Sequence, residues 1–267
     1  MIEDDQLTAR RPWPWVFFLL VPLLSIPFYG LGAAGGRLPI LTVLPISALM
    51  ACTPMLAALI LICRERGVEG VVDLLKRALD FGRSGSMRWY LVAVCLLPIV
   101  AVLQYVALRL IGSTFPAPLF AFGGAPLYVA MFFIGAIGEE LGWQGYAFPE
   151  LSTRYSALGA ALILGVFWAL WHVIPFIEVG RGADWILWHG LSMVAMRVII
   201  VWLFVNTGQS VFIAVVFHTM SNIPWGVIAN YESFYDPFTT FLLLTLVAGL
   251  VAVYWGPATL ARFRNAQ

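Results

Sequence analysis

Two adjacent acids, Glu139 and Glu140, lie in the segment GAIGEELGWQGYAFPEL, and residues 126–148 carry no other charge. A charged side chain at the centre of a bilayer costs roughly 2.5 to 3.5 kcal/mol on insertion scales, so an unpaired couple costs about twice that. Ionisable groups at such positions are usually functional and face a bundle interior with partners on other helices. The two acids therefore predict a polar site inside the membrane.

The two carboxylates cannot point at the same place, because neighbouring residues lie about 100° apart around a helix. Glu140 shares a face with Gln144, and Glu139 shares a face with Trp143. We interpret Glu139 as a base that faces a reaction centre, and Glu140 as a supporting acid. Gln144 and Trp143 are expected to support the site.

Histidines provide the next polar groups. His172 lies in GVFWALWHVIPF, and His218 lies in AVVFHTMSNIPW, where Asn222 follows four residues later on the same helix face. A span rarely keeps two strong polar groups on one stripe unless they meet partners. His189, in WILWHG near an interface, is interpreted as a packing residue.

The level of these groups in the membrane can be counted from the ends of their spans. Glu139 and His218 lie about eight or nine residues deep, roughly 12 to 14 Å at helical rise, so they are expected at one level. His172 counts out nearer the opposite face, and its span must start late or tilt to join them. Arg197, in MVAMRVII, either neutralises an acid or snorkels outward.

The elements that must position this set are membrane-spanning helices. The 267 residues are 61% hydrophobic and 11% charged, whereas soluble domains carry about 25% charged residues. Many apolar stretches lack the alternation of barrel strands, which favours helices. We predict an all-α polytopic membrane protein, a single integral membrane domain over residues 1–267, with its catalytic core at 126–230 in helices four to seven. The eight predicted spans are Trp13–Leu31, Leu41–Cys63, Trp89–Ile111, Leu127–Ala147, Leu158–Phe176, Ile186–Val205, Ser210–Ile228 and Phe238–Trp255.

Charge distribution predicts the orientation. The net charge is +1, and no basic face points to nucleic acid. Eight spans place both termini and the even-numbered loops on one side, with eleven of the fifteen basic residues, which predicts cytoplasmic termini. The use of fourteen arginines and one lysine indicates a GC-rich bacterium, and so a bacterial cytoplasmic membrane. The eleven residues are Arg10, Arg11, Arg64, Arg66, Lys76, Arg77, Arg83, Arg88, Arg154, Arg262 and Arg264.

Two further patterns concern packing. Residues 64–88 contain VVDLLKRALDFGRSG, in which Val72, Leu75 and Leu79 recur at helical spacing between charges, and this predicts a short amphipathic helix on the cytoplasmic surface. Gly138 and Gly142 stand four residues apart beside the acids, a spacing that lets a neighbouring helix approach closely.

The polar motifs resemble those of a known family, the CPBP intramembrane proteases, which include type II CAAX prenyl endopeptidases and bacteriocin-processing or immunity proteins. The family's first motif is EExxxR, often EExGWRGYxxPxL. Its second, FxxxH, is matched by His172 with Trp168 at the Phe position, and its third, HxxxN, by His218 and Asn222. The three motifs occur in order on separate spans, over roughly residues 130–230. First-motif matches are Glu139, Glu140, Gly142, Trp143, Gly145, Tyr146, Pro149 and Leu151.

One departure from the family pattern concerns the first motif. Gln144 stands where the family has an arginine that is thought to brace the second glutamate. Without a cation, a carboxylate in a low dielectric is pushed toward its protonated form. We therefore expect Glu140 to be neutral and hydrogen bonded to Gln144.

The set supports peptide hydrolysis, which needs an activated water and a stabilised oxyanion. Glu139 with His172 could take a proton from water and pass it to the leaving amine. His218 and Asn222 could donate hydrogen bonds to the oxyanion, an effect worth about 3 to 4 kcal/mol per donor in other enzymes. The resemblance implies the same roles, with a peptide or membrane protein in the lipid bilayer as substrate.

Three alternatives remain open at this stage. Glu139, His172 and His218 also form a two-histidine, one-carboxylate set suited to zinc, although HExxH is absent; we favour metal-free, glutamate-dependent hydrolysis. The loss of the motif arginine at Gln144 is compatible with a non-catalytic scaffold or a bacteriocin-immunity-type protein of the same fold. Buried acids and histidines also form proton relays in transporters, but no inverted repeat is visible.

Overall fold

The computed structural model describes residues 15–37 and 45–261. Within those ranges the chain is helical, with two isolated β-bridges and no strand. A π-helical turn at Trp143–Ala147 joins the fourth and fifth helices. The helices are α1 (Trp15–Ala33), α2 (Thr53–Lys76), α3 (Met87–Leu110), α4 (Ala125–Gly142), α5 (Phe148–Ser152), α6 (Ala157–Trp171), α7 (Val173–Glu178), α8 (Ala183–Asn206), α9 (Val211–Val227) and α10 (Pro237–Trp255).

Seven helical runs are long and apolar enough to cross a membrane, and α9 is a shorter apolar helix of 17 residues. The predicted all-α polytopic fold is thereby confirmed, with seven to eight helices able to span. The predicted starts of the first two spans, Trp13 and Leu41, lie outside the described residues. Four of the basic residues used for the orientation also lie outside them: Arg10, Arg11, Arg262 and Arg264.

Helix α8 forms the centre of the bundle, where it packs against α6 and α10. Its second half is buried almost without interruption, from Ala195 to Phe204. A Cβ atom at Gly165 of α6 would lie 2.9 Å from the Val194 Cα and 3.2 Å from the Arg197 Cβ. The absence of a side chain at Gly165 therefore lets α8 bring Arg197 against α6.

Helix α4, which carries the paired acids, packs against α9 and α2. A Cβ atom at Gly138 would lie 2.5 Å from the Ala51 carbonyl oxygen, and one at Gly142 would lie 2.4 Å from the Pro54 carbonyl carbon. Real Cβ atoms do not make contacts this short with backbone, so only glycine fits. The close approach predicted from the GxxxG spacing is confirmed, and the neighbour is the start of α2 with the 3₁₀ turn before it.

The polar segment after the second span continues α2 rather than forming a separate helix. The chain bends at Gly67, whose φ of 65° is in the left-handed region, and then stays helical to Lys76. Val72 and Leu75 are exposed on this part, while Leu74 is buried. The apolar residues on which the amphipathic prediction rested, Val72, Leu75 and Leu79, thus lie on the exposed side of this segment, and Leu74 lies on the side that contacts the rest of the protein. A position at the membrane surface stays a prediction.

Candidate active site

Both acids lie in the last turn of α4, immediately before the π-helical turn. Glu139 is 6% exposed and Glu140 is fully buried. A π-helical turn inserts one extra residue into the helix, and such turns are often found at functional sites. The two carboxylates point to different partners, as their angular separation predicted.

Glu140 is paired with a cation from α8. Its two oxygens lie 3.0 and 2.7 Å from Arg197 Nη1, and both side chains are fully buried. Its Oε1 also lies 2.8 Å from His218 Nδ1. Of the two alternatives for Arg197, the structure shows neutralisation of an acid and not snorkelling.

The predicted hydrogen bond between Glu140 and Gln144 is wrong. Gln144 is fully buried, and neither its amide nitrogen nor its oxygen has a hydrogen-bond partner among the described residues. The π-helical turn begins at Trp143, so the fourth residue after Glu140 is rotated away from the position it has on a regular α-helix. The expectation of a neutral Glu140 bonded to Gln144 fails, because Arg197 supplies the cation.

Glu139 is held by the indole of Trp168. Trp168 Nε1 donates to Glu139 Oε2 at 2.6 Å, and both side chains are buried. The other oxygen, Oε1, makes no hydrogen bond to any described residue, and its nearest basic atom is His218 Nε2 at 4.0 Å. One carboxylate oxygen of Glu139 is thus fixed by a hydrogen bond, and the other has no hydrogen-bond partner among the described residues.

His218 bridges the two acids. A carboxylate can only accept, so Nδ1 carries the proton that is donated to Glu140, and Nε2 faces Glu139. Its ring also packs edge-on against Trp168, with centroids 5.2 Å apart. His218 therefore has a defined tautomer when neutral, with the Nε2 lone pair directed toward Glu139.

His172 lies at the junction of α6 and α7. Its Nδ1 donates to the Trp168 carbonyl oxygen at 2.9 Å, which leaves Nε2 as the acceptor of the neutral ring. It interacts electrostatically with Glu139 and with His218. The contact that reaches Glu139 directly comes from Trp168, one helical turn before His172.

Two other predicted residues have weaker connections to this group. Asn222 is half-buried on α9, one turn after His218, and makes no hydrogen bond to any described residue. Trp143 is fully buried against Phe17, with ring centroids 5.4 Å apart, and its indole nitrogen has no partner in the described part of the chain. Trp143 supports α4 by packing.

His189 has the packing role that the sequence indicated. Its Nδ1 lies 2.6 Å from the Tyr235 hydroxyl, and its ring stacks on Trp185 with centroids 4.4 Å apart. Burial raises the pKa of the Tyr235 hydroxyl, which lies in the loop before α10, so this group stays protonated.

The π-helical turn is held by the second half of α2 and by Arg77, which directly follows it. The Tyr146 hydroxyl donates to Glu65 Oε1 at 2.7 Å, and Arg77 Nη1 donates to the Gly145 carbonyl at 2.8 Å. A Cβ atom at Gly145 would lie 2.8 Å from Leu74 Cδ1. The predicted amphipathic helix therefore contacts the segment that positions the acids.

The zinc alternative can be tested on the geometry. Among the described residues, no group of three or more His, Cys, Asp or Glu side chains is arranged to hold a metal ion. His218 Nδ1 is engaged by Glu140, and its Nε2 is 4.0 Å from the nearest Glu139 oxygen. Glu139, His172 and His218 therefore do not fit a metal site as they are arranged.

Sequence reasoning gave no role to Trp168 and left Arg197 undecided. The signal for Trp168 was its position in the second motif, where tryptophan adds an N–H donor that phenylalanine lacks. The signal for Arg197 was charge balance, because a buried arginine needs a carboxylate and the only acids within the predicted core spans are Glu139 and Glu140.

Comparison with known proteins agrees with these motifs. The sequence model of the family described as "Type II CAAX prenyl endopeptidase Rce1-like" matches residues 121–224. This range contains the site residues Glu139, Glu140, Trp168, His172, His189, Arg197, His218 and Asn222. A relative from Methanococcus maripaludis, "CAAX prenyl protease 2", is 29% identical over 184 residues, which cover 64% of this chain and 67% of that protein.

Proposed function

We propose that this chain, a member of the CPBP family of intramembrane CAAX-type proteases, hydrolyses a peptide bond at the membrane. In this proposal Glu139 is the base. The observation that carries this proposal is the asymmetry of Glu139. Trp168 holds Oε2 at 2.6 Å, while Oε1 faces His218 Nε2 across 4.0 Å without a bond. A separation of this size suits a bridging water.

In the proposed reaction, Glu139 takes a proton from a water held at its Oε1, and the water oxygen attacks the carbonyl carbon of the substrate. A tetrahedral intermediate forms with its negative charge on the carbonyl oxygen. The proton then passes to the leaving nitrogen, with His172 Nε2 as an acceptor and donor beside Glu139. The C–N bond breaks, and a carboxylate and an amine are released.

The oxyanion is assigned to His218 Nε2 and Asn222. His218 can donate from Nε2 only when both ring nitrogens carry protons, because Nδ1–H is committed to Glu140. Among the described residues, Arg197 is the one arginine or lysine in contact with the paired acids, so a second proton on His218 would place a further positive charge beside them. The Asn222 side chain is free of other bonds in the described structure.

The replacement of the motif arginine by Gln144 is the feature that is compatible with a non-catalytic scaffold. The buried pair of Glu140 and Arg197, with a closest distance of 2.7 Å, removes that reason, because the supporting acid has a cation. Hydrolysis is therefore the better explanation of the cluster than a scaffold or a proton-relaying transporter.

The substrate class is proposed from the matched relatives, whose names refer to CAAX prenyl proteases. A C-terminal C-a-a-X sequence directs prenylation of its cysteine, so the probe of choice is an internally quenched farnesylated C-a-a-X peptide. Peptides accumulated in cells with the wild type and with Glu139→Ala provide the second arm, which covers leader peptides and membrane proteins. Identical peptide profiles, together with no cleavage of the probe, would contradict the proposed function.

We also propose that the termini are cytoplasmic and that the membrane is a bacterial cytoplasmic membrane. Arg77 donates to the carbonyls of Gly145 and Gln209, which brings three segments with predicted cytoplasmic positions to one end of the bundle. Arg181 pairs with Glu232 on segments predicted to lie on the other side. Cysteine accessibility at Ser84 and Gly180 in intact cells tests the orientation.

A further inference from the structure

The buried cluster contains a positive charge that none of the three motifs provides. Arg197 lies on α8, 57 residues from Glu140 in the sequence, and both side chains are fully buried. The motif position for a cation is occupied by Gln144, whose side chain makes no hydrogen bond to Glu140 or to any other described residue. The charge needed beside the second acid therefore comes from a different helix.

Arg197 is connected to both acids, directly to Glu140 and through the Trp168 ring to Glu139. It contacts both oxygens of Glu140 directly, and its guanidinium lies over the ring of Trp168, 4.2 Å from the centroid. Trp168 in turn holds Glu139 through its indole nitrogen. A cation over an indole face is attracted by the ring, and the same contact fixes the ring plane that aims Nε1 at Glu139.

The pair with Glu140 also determines the orientation of His218. Glu140 Oε1 accepts hydrogen bonds from Arg197 Nη1 and from His218 Nδ1. Arg197 therefore holds the oxygen in place, and that oxygen in turn holds the His218 ring. A carboxylate that accepts from one ring nitrogen of a histidine fixes the tautomer of the ring and the direction of its other nitrogen. Displacement of Glu140 would therefore release His218 Nε2 from its position opposite Glu139.

We propose that Arg197 is a positioning residue of the active site and takes the place of the motif cation that Gln144 lacks. It holds Glu140, and through it His218, and it holds Trp168, and through it Glu139. Gly165 makes this possible, because a side chain there would meet the backbone of Val194 and the Cβ of Arg197. The proposal rests on the proposed hydrolytic function of the same site.

A double-mutant cycle measured by melting temperature tests the ion pair between Arg197 and Glu140 without reference to activity. Removal of one member of a buried ion pair leaves an unpaired charge, whereas removal of both does not. Arg197→Gln and Glu140→Gln are each expected to lower the melting temperature of the protein in detergent, and the Glu140→Gln/Arg197→Gln variant to melt closer to the wild type than either. Additive losses in the double variant would overturn the pairing on which the proposal depends.

Kinetics on the farnesylated probe test the positioning role. The folded Glu140→Gln/Arg197→Gln variant is expected to lose kcat by roughly 100-fold with KM changed by less than about threefold, because orienting partners act on the reacting groups. Wild-type turnover in this variant would overturn the proposal.

Transfer of the charge back to the motif position gives the sharpest comparison. Arg197→Gln/Gln144→Arg is expected to recover at least about tenfold in kcat over Arg197→Gln, whereas Gln144→Arg alone should melt lower than the wild type, because Arg197 already neutralises Glu140. Recovery of the melting temperature without recovery of kcat would assign Arg197 a structural role only. Glu139→Gln separates the proposed hydrolytic function from the proposed role of Arg197. If this variant cleaves at the wild-type rate, the proposed function fails, and the double-mutant cycle still decides whether Arg197 and Glu140 form an ion pair.

Discussion

Trp168→Phe isolates the bond that holds Glu139. Phenylalanine keeps an aromatic ring beside Arg197 but removes the N–H that donates to Glu139 Oε2 at 2.6 Å. A hydrogen bond to a charged group contributes about 1.5 to 3 kcal/mol. If the carboxylate must stay in place during proton transfer, each 1.36 kcal/mol costs tenfold in rate. We therefore expect kcat to fall by roughly 10- to 100-fold.

A matched control separates this bond from the loss of ring volume. Trp202, on α8, is also buried, but its indole nitrogen has no partner among the described residues, and its ring packs on Trp89 and Trp255. Trp202→Phe removes the same atoms without breaking a hydrogen bond, so kcat should stay within about threefold of the wild type. Initial rates on the quenched farnesylated peptide, at equal amounts of folded protein, measure both. Equal kcat values for the two variants would refute the assignment of Trp168.

Three further variants test the oxyanion site, the helix packing and the cap of α9. Asn222→Ala is expected to lower kcat by about 10²- to 10³-fold without a change in melting temperature, because its side chain has no bond in the described structure; wild-type turnover would exclude it as a donor. Gly142→Ala places a methyl group 2.4 Å from Pro54 and should cost about 1 to 3 kcal/mol in the free energy of unfolding, whereas Gly249→Ala, with no atom within 4 Å, should cost little; equal stabilities would contradict the close packing. Asp80→Asn weakens the cap that accepts from the start of α9 and should cost about 1 kcal/mol in thermal stability, and an unchanged melting temperature would rule out that role.

The helices and the polar set were predictable because their signals are local. Apolar runs of span length and the four-residue spacing of His218 and Asn222 depend only on neighbours in the chain. The close packing of α4 followed from Gly138 and Gly142 in the same way. The partner of that close packing, the start of α2, was not predictable, because a small residue indicates room but not which helix fills it.

The arrangement around Glu140 could not be predicted from spacing. A regular α-helix places Gln144 on the same face as Glu140, but the π-helical turn at Trp143–Ala147 inserts an extra residue and changes that register. No residue type in WQGYA predicts this insertion. The role of Arg197 depends on a contact between α4 and α8, which are far apart in sequence. Charge balance alone would have paired it with one of the two acids, and only the structure shows that it is Glu140.

The central claim is that Glu139 activates the water that cleaves the peptide. Glu139→Gln keeps the side-chain volume and can still accept from Trp168, but it cannot take up a proton. The most direct measurement is kcat of this variant on the quenched farnesylated peptide, with the melting temperature confirmed against the wild type. A fall of about 10²-fold or more in a folded protein is predicted for loss of a general base. Cleavage by the folded variant at the wild-type rate would contradict the account.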